Sequence, residues 1–174
     1  DQDIKNIFSP NINAFNAVVS IYGACNNKFD ISRTTGSNFY YIVGSEDISY
    51  DKEFCSEIRD QLETAGSKYK EFIIDGAVHG YDASFPVENI SRSEIPDIFN
   101  CKFEFYKDGT VVEVTKNTTI KFNSNVSLKD KFKIRRKYIF KDIKKCYGKR
   151  SLRMGSQGFA VKKTKELFLE ILQN

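Results

Sequence analysis

His79 is the only histidine in a chain of 174 residues. It stands in the loop Asp75-Gly76-Ala77-Val78-His79-Gly80-Tyr81-Asp82, directly after the apolar run Phe72-Ile73-Ile74. An earlier apolar run, Phe39-Tyr40-Tyr41-Ile42-Val43, ends in Gly44-Ser45-Glu46-Asp47. A carboxylate after one buried strand and an imidazole after the next suit acid–base chemistry. The carboxylate accepts from one ring nitrogen, fixes the tautomer, and stabilises the imidazolium formed when the other nitrogen takes a proton from a nucleophile. Asp47 and His79 are therefore the candidate catalytic residues. Glu46 is the adjacent rival for the acid; Asp47 is favoured because it lies one residue further into the loop. Taken singly, a loop histidine is an ordinary polar residue, and an aspartate after a strand is an ordinary helix cap. The order acid then histidine, with Gly44 and Gly80 flanking, joins the two.

Such a pair needs parallel strands, whose C-terminal ends gather on one edge of a sheet and form a crevice there. The run Ala17-Val18-Val19-Ser20-Ile21-Tyr22 is nearly continuous in apolar character and reads as a strand buried on both faces. Residues 28–38 are polar and read as loop. Residues 39–43 and 70–74 supply two further strands. Between them, residues 51–65 read as a helix: Phe54, Ile58, Leu62 and Ala65 share one face, Ser49 or Asp51 can cap the start, and Gly66 supplies a stop. Strand, helix, strand makes a βαβ unit with parallel strands. Phe159 to Leu172 reads as a second amphipathic helix, with Ala160, Thr164, Leu167, Phe168, Ile171 and Leu172 as its stripe. Residues 102–114 carry a different signal. Two alternating runs flank Asp108-Gly109, the pattern of a hairpin with a two-residue turn.

The length suits one domain, with enough chain to bury a core. No apolar stretch approaches the roughly 20 residues of a membrane span, and the polar start Asp1-Gln2-Asp3-Ile4-Lys5 is not a signal peptide. The net charge of +4 is uneven: residues 129–150 hold eleven Lys or Arg and two Asp, leaving sixteen basic and twenty-one acidic residues elsewhere, a net of −5. Arg135, Arg136 and Lys137 lie at the centre of this segment and are a candidate anion-binding site; the alternative is a solvated face. Aromatic residues interleave with these charges, but no fold-level signature of nucleic-acid binding accompanies them. Cysteines stand at 25, 55, 101 and 146. No C-x-x-C pair occurs, and one histidine does not make a zinc site. Two disulfides, with three possible connectivities, or four buried thiols are the readings open to the sequence.

The segment from Tyr22 to Asp82 resembles the C-terminal half of the dienelactone hydrolase family, within the α/β-hydrolase superfamily. In that family a strand ends in a Tyr-rich turn, the acid follows a Gly-x-x-Asp turn, and the histidine lies in an Ala-x-His-Gly/Ala-Phe-Asp loop. Here these read Ile21-Tyr22-Gly23-Ala24-Cys25, Gly44-Ser45-Glu46-Asp47 and Ala77-Val78-His79-Gly80-Tyr81-Asp82, with Tyr81 where Phe is usual. Met154-Gly155-Ser156-Gln157-Gly158-Phe159-Ala160 is similar to the approach to the family's last helix. The resemblance implies an α/β fold in which residues 1–82 and 151–174 form the C-terminal part of a hydrolase sheet, three parallel strands with flanking helices. Residues 83–150 are then an insertion carrying the β-hairpin and the basic segment. It implies an ester or lactone as substrate, no cofactor and no metal. An exported subgroup with extra cysteines implies the pairs Cys25–Cys55 and Cys101–Cys146 and a periplasmic or secreted location.

The family's nucleophile, a Cys or Ser in Gly-x-(Cys/Ser)-x-Gly, belongs upstream of residue 1 and is expected outside this chain. Ser156 lacks a buried strand before it, and Cys25 lacks an elbow. The expected partner is therefore the upstream half of the same fold. The alternative is a non-catalytic relic that binds an anionic partner through its basic insertion.

Overall fold

The computed structural model describes residues 15–23, 25, 27–29, 34–91, 102–106, 110–114, 118–120, 130 and 151–173. Its main sheet is built on the alternation Tyr41-Ile42-Val43, in which successive side chains point to opposite faces. Three parallel strands form it: β1 (Ala17–Ile21), β3 (Asn38–Gly44) and β4 (Tyr69–Ile74), in the order β1-β3-β4. Ile21 pairs with Ile42, which pairs with Phe72. The central strand β3 is buried through its second half, with Ile42 and Val43 fully enclosed. Among the described residues the chain thus has a mixed α/β fold with a parallel three-stranded sheet and two long helices.

Helix α1 (Lys52–Thr64) connects β3 to β4. Asp51 caps it by accepting from the Phe54 amide at 3.0 Å, so the cap is Asp51 and not Ser49. Burial alone would raise the Asp51 carboxyl. The Phe54 amide and the Lys102 ammonium, 2.9 Å away, outweigh it and hold the group below its ordinary range. Gly66, at φ +101, follows the C-cap Ala65. Helix α2 (Gly158–Gln173) buries Ala160, Thr164, Leu167 and Ile171, a stripe at steps of three and four. The expected stripe is too wide on one side, since Leu172 is 79% exposed.

The helices cover opposite faces of the sheet. On one face Ile42 and Ile74 pack with Ala77, Tyr81, Ala160 and Leu167, and Val19, Ile21 and Phe72 join them. On the other, Tyr41 and Val43 pack with Phe54, Cys25 and Cys55. β1 departs from expectation. It is an edge strand among the described residues, and Val18 is 41% exposed. A continuous apolar run predicts cover on both faces, which the described residues supply only in part.

Several pairings join segments distant in sequence. β2 (Asn27–Phe29), in a stretch expected as loop, runs parallel to β6 (Phe103–Phe105). β6 pairs antiparallel with β7 (Val111–Glu113), and β7 with β8 (Thr118–Ile120). The hairpin is therefore part of a four-stranded sheet. Its register sets Phe105 opposite Val111, and the Tyr106 amide donates to the Thr110 carbonyl at 2.9 Å. β5 (Glu88–Ser91) pairs antiparallel with β9 (Ser151–Met154), which returns the chain to α2.

A disulfide links Cys25, just beyond β1, to Cys55 in the first turn of α1, across 30 residues. Both cysteines are buried. On the chain-entropy model a loop of this length is worth about 3–4 kcal/mol. Replacing both cysteines with alanine should lower the unfolding free energy by about 3 kcal/mol, measured by urea titration. A loss below about 1 kcal/mol would show that the bridge barely restricts the unfolded chain. Cys101 and Cys146, and the basic residues Arg135, Arg136 and Lys137, lie outside the described residues.

Candidate functional site

Two loops meet at the C-terminal ends of β3 and β4. The first, residues 45–51, follows β3 and carries Asp47. The second, residues 75–82, follows β4 and carries His79. They are joined strand by strand: the Ser45 amide donates to the Ile74 carbonyl at 3.0 Å and the Glu46 amide to the Ala77 carbonyl at 2.9 Å. The Gly76 amide donates to the Ser45 hydroxyl oxygen at 2.8 Å. This approach requires glycine at 44. A Cβ built there would lie 2.1 Å from the Ala77 carbonyl oxygen, inside any permitted contact.

The histidine loop is core, not decoration. Ala77 and Val78 are fully buried, and Tyr81 is nearly so, its hydroxyl 2.7 Å from that of Thr164 in α2. Gln157, directly before α2, splints the loop. Its side-chain oxygen accepts from the Val78 amide at 2.8 Å, its side-chain nitrogen donates to the Gly76 carbonyl at 3.0 Å, and its own amide donates to the Tyr81 carbonyl at 2.8 Å. On the far side, β9 lies along the loop, and the Gly155 amide donates to the His79 carbonyl at 3.3 Å.

Within this frame the two candidate residues meet. His79 Nδ1 lies 2.9 Å from Asp47 Oδ2. The Asp47 side chain is fully buried, while 24% of the imidazole remains exposed. A buried carboxylate needs partners, and Asp47 has one on each oxygen: Oδ1 accepts from the Ser49 amide at 2.8 Å, and Oδ2 faces His79. An ionised carboxylate can only accept, so the ring proton belongs on Nδ1 and Nε2 keeps its lone pair. The Ser49 hydroxyl oxygen, 3.1 Å from Nδ1, shares that proton as a second acceptor. The hydrogen bonds that described residues make to the ring both fall on Nδ1.

Glu46, the rival acid, is directed elsewhere: it accepts from Arg153 on β9. Beneath the pair, Tyr41 donates its hydroxyl to the Gly23 carbonyl. Burial above all, with the nearby Asp47 carboxylate, pushes the Tyr41 phenol up, so it remains a neutral donor. Tyr22 borders the imidazole edge-on, with ring centroids 5.1 Å apart. Among the described residues no cluster of His, Cys, Asp and Glu could hold a metal ion, and no helix is long and apolar enough to cross a membrane.

Sequence reasoning paired Asp47 with His79 but missed the residues that orient them. Ser49, expected as a helix cap, instead holds Asp47, and the Asp-x-Ser spacing, which lets a carboxylate bond an amide two residues on, is the sequence signal for it. Ser156 was considered as a nucleophile, and the informative neighbour was Gln157, a polar residue at a helix start. Ser156 instead places its amide on the Phe85 carbonyl at 2.7 Å. Cys25 is in a disulfide and so is not a free thiol. No family model, curated protein or solved structure matches this chain.

Proposed function

We propose that Asp47 and His79 are the acid and the general base of a carboxylic ester or lactone hydrolase related to the dienelactone hydrolase family. The single observation that carries this reading is the 2.9 Å contact between His79 Nδ1 and a fully buried Asp47 carboxylate at adjoining strand ends. In this reading His79 Nε2 removes the proton from a serine or cysteine nucleophile as that group attacks the ester carbonyl carbon. The imidazolium, stabilised by Asp47, then protonates the departing alkoxide. Water, deprotonated in turn by Nε2, cleaves the acyl intermediate. The chemistry requires no cofactor.

The nucleophile and the donors of an oxyanion hole are assigned to the upstream half of the same fold. The position of β1 at the sheet edge among the described residues, with Val18 exposed, supports this. The buried Cys25–Cys55 bridge supports an oxidising location, periplasmic or secreted.

The experiment is ester turnover by the chain joined to its upstream half. His79→Ala should reduce p-nitrophenyl ester hydrolysis to the level of a protein-free control. Undiminished turnover in a folded His79→Ala variant would refute the assignment.

A further inference from the structure

Tyr22 follows β1 directly, and its amide continues the ladder by donating to the Ile42 carbonyl at 2.7 Å. Its backbone is in the left-handed region, at φ +39, the one described residue other than glycine with a positive φ. Such a conformation is costly for a side chain with a Cβ and persists only where the surroundings over-determine it; it concentrates at functional sites. A glycine, Gly23, stands next door and could have taken that conformation without steric cost. The surroundings hold the turn from both sides. The β1–β3 ladder fixes it from before. From after, Tyr41 bonds the Gly23 carbonyl, and Cys25 is bridged to α1.

The strained backbone delivers Tyr22 onto the histidine loop at three points. Its ring meets the His79 ring at 5.1 Å and 63°, and the Tyr81 ring at 5.5 Å and 84°. Its hydroxyl donates to Asp82 Oδ1 at 2.7 Å. Edge-to-face contacts of this kind are favourable and directional. Burial first, and the bond to Asp82 second, push the Tyr22 phenol up to about 12, so it stays a donor through neutral pH.

We propose that Tyr22 is a positioning residue for His79: its ring and its bond to Asp82 together hold the imidazole in the plane where Nδ1 meets Asp47. Its effect on turnover rests on the reading of His79 as a general base, whereas its effect on the ring does not. The imidazole is partly exposed, and its polar anchors among the described residues, Asp47 and Ser49, both act at Nδ1, so packing against the rest of the ring adds to their hold on rotation about the Cβ–Cγ bond. Tyr22 supplies that packing on one side and ties it to the far end of the same loop.

The test uses the fact that the chain has one histidine. Long-range 1H–15N correlation on the intact, disulfide-bonded chain, read at the high-pH limit, reports the ring tautomer without overlap. The wild type should show Nδ1–H. Tyr22→Leu should shift the population at least threefold toward Nε2–H, the form an unrestrained neutral imidazole prefers. Asp82→Ala leaves the Tyr22 ring in place, frees its hydroxyl and alters only an exposed side chain; it should move the population the same way by a smaller factor. With the upstream half joined, Tyr22→Leu should lower kcat ten- to a hundredfold with KM within twofold, the signature of misplacement rather than lost binding. Unchanged tautomer populations in both folded variants would overturn the proposal. If Tyr22→Leu does not fold, the Asp82→Ala spectrum decides by itself. A shifted tautomer with unchanged kcat would uphold the positioning of the ring and refute the hydrolase reading of His79.

Discussion

Asp47→Asn should leave the fold intact and reverse the histidine tautomer. The reason lies in the two oxygens of Asp47. Oδ1 accepts from the Ser49 amide, and Oδ2 accepts from His79 Nδ1. An asparagine side chain must put its oxygen where the Ser49 amide donates, since an N–H facing an N–H is unfavourable. Its NH2 group then faces Nδ1 and donates to it. The ring proton moves to Nε2, and the nitrogen that accepts from a nucleophile on the proposed reading becomes a donor. In triads of this design the wrong tautomer costs ~10^4-fold in kcat with geometry preserved. On the proposed hydrolase reading, the same loss is expected in the chain joined to its upstream half. Long-range 1H–15N spectra of the chain alone should show Nε2–H in place of Nδ1–H. Retention of Nδ1–H, or a kcat within about tenfold of wild type, would contradict this account of the site. The Ser49 hydroxyl strengthens the expected reversal, because it can turn from acceptor to donor toward a bare Nδ1.

Gly44→Ala should be strongly destabilising for a single added methyl. Gly44 ends β3, opposite Ile74, where the acid loop and the histidine loop converge. An alanine Cβ would sit 2.1 Å from the Ala77 carbonyl oxygen and 2.5 Å from its carbon. Both obstacles are backbone, and Ala77 is fully buried, so neither can swing aside. Forced separation breaks the Glu46–Ala77 bond and pulls Asp47 away from His79. Overpacking typically costs ~1–3 kcal/mol and occasionally more; with rigid backbone on both sides, a loss of about 3 kcal/mol or greater is expected. Urea unfolding would measure it, and the 1H–15N spectrum would report the parted pair. Gly158→Ala is the matched control. A Cβ there meets nothing within 4 Å, and the position opens α2, so the change should be neutral or slightly stabilising. Equal stabilities for the two variants would show that the loops yield where the packing says they cannot.

Short-range pattern was enough to read much of the frame. α1 announced itself through Phe54 and Ile58 on one face, an aspartate before them and a glycine after. β3 and β4 were legible as apolar runs, and the helix between them is the crossover that parallel neighbours need. The strand ends then brought position 47 within reach of position 79. Each of these signals is local, so the residues that carry it are neighbours in the chain.

Where the partners are far apart in sequence, only the tertiary structure could decide. β2, β5, β8 and β9 are three or four residues long, too short for periodicity, and β2 and β5 find their partners beyond residue 100. Glu46 and Asp47 are chemically alike and adjacent; Arg153, arriving on β9, takes the first. Ser49, Tyr22 and Gln157 act on the histidine loop across separations of 30 to 81 residues. A side chain's local sequence states what it can donate or accept, but its partner is chosen by packing, which close-packed interiors resolve to fractions of an ångström.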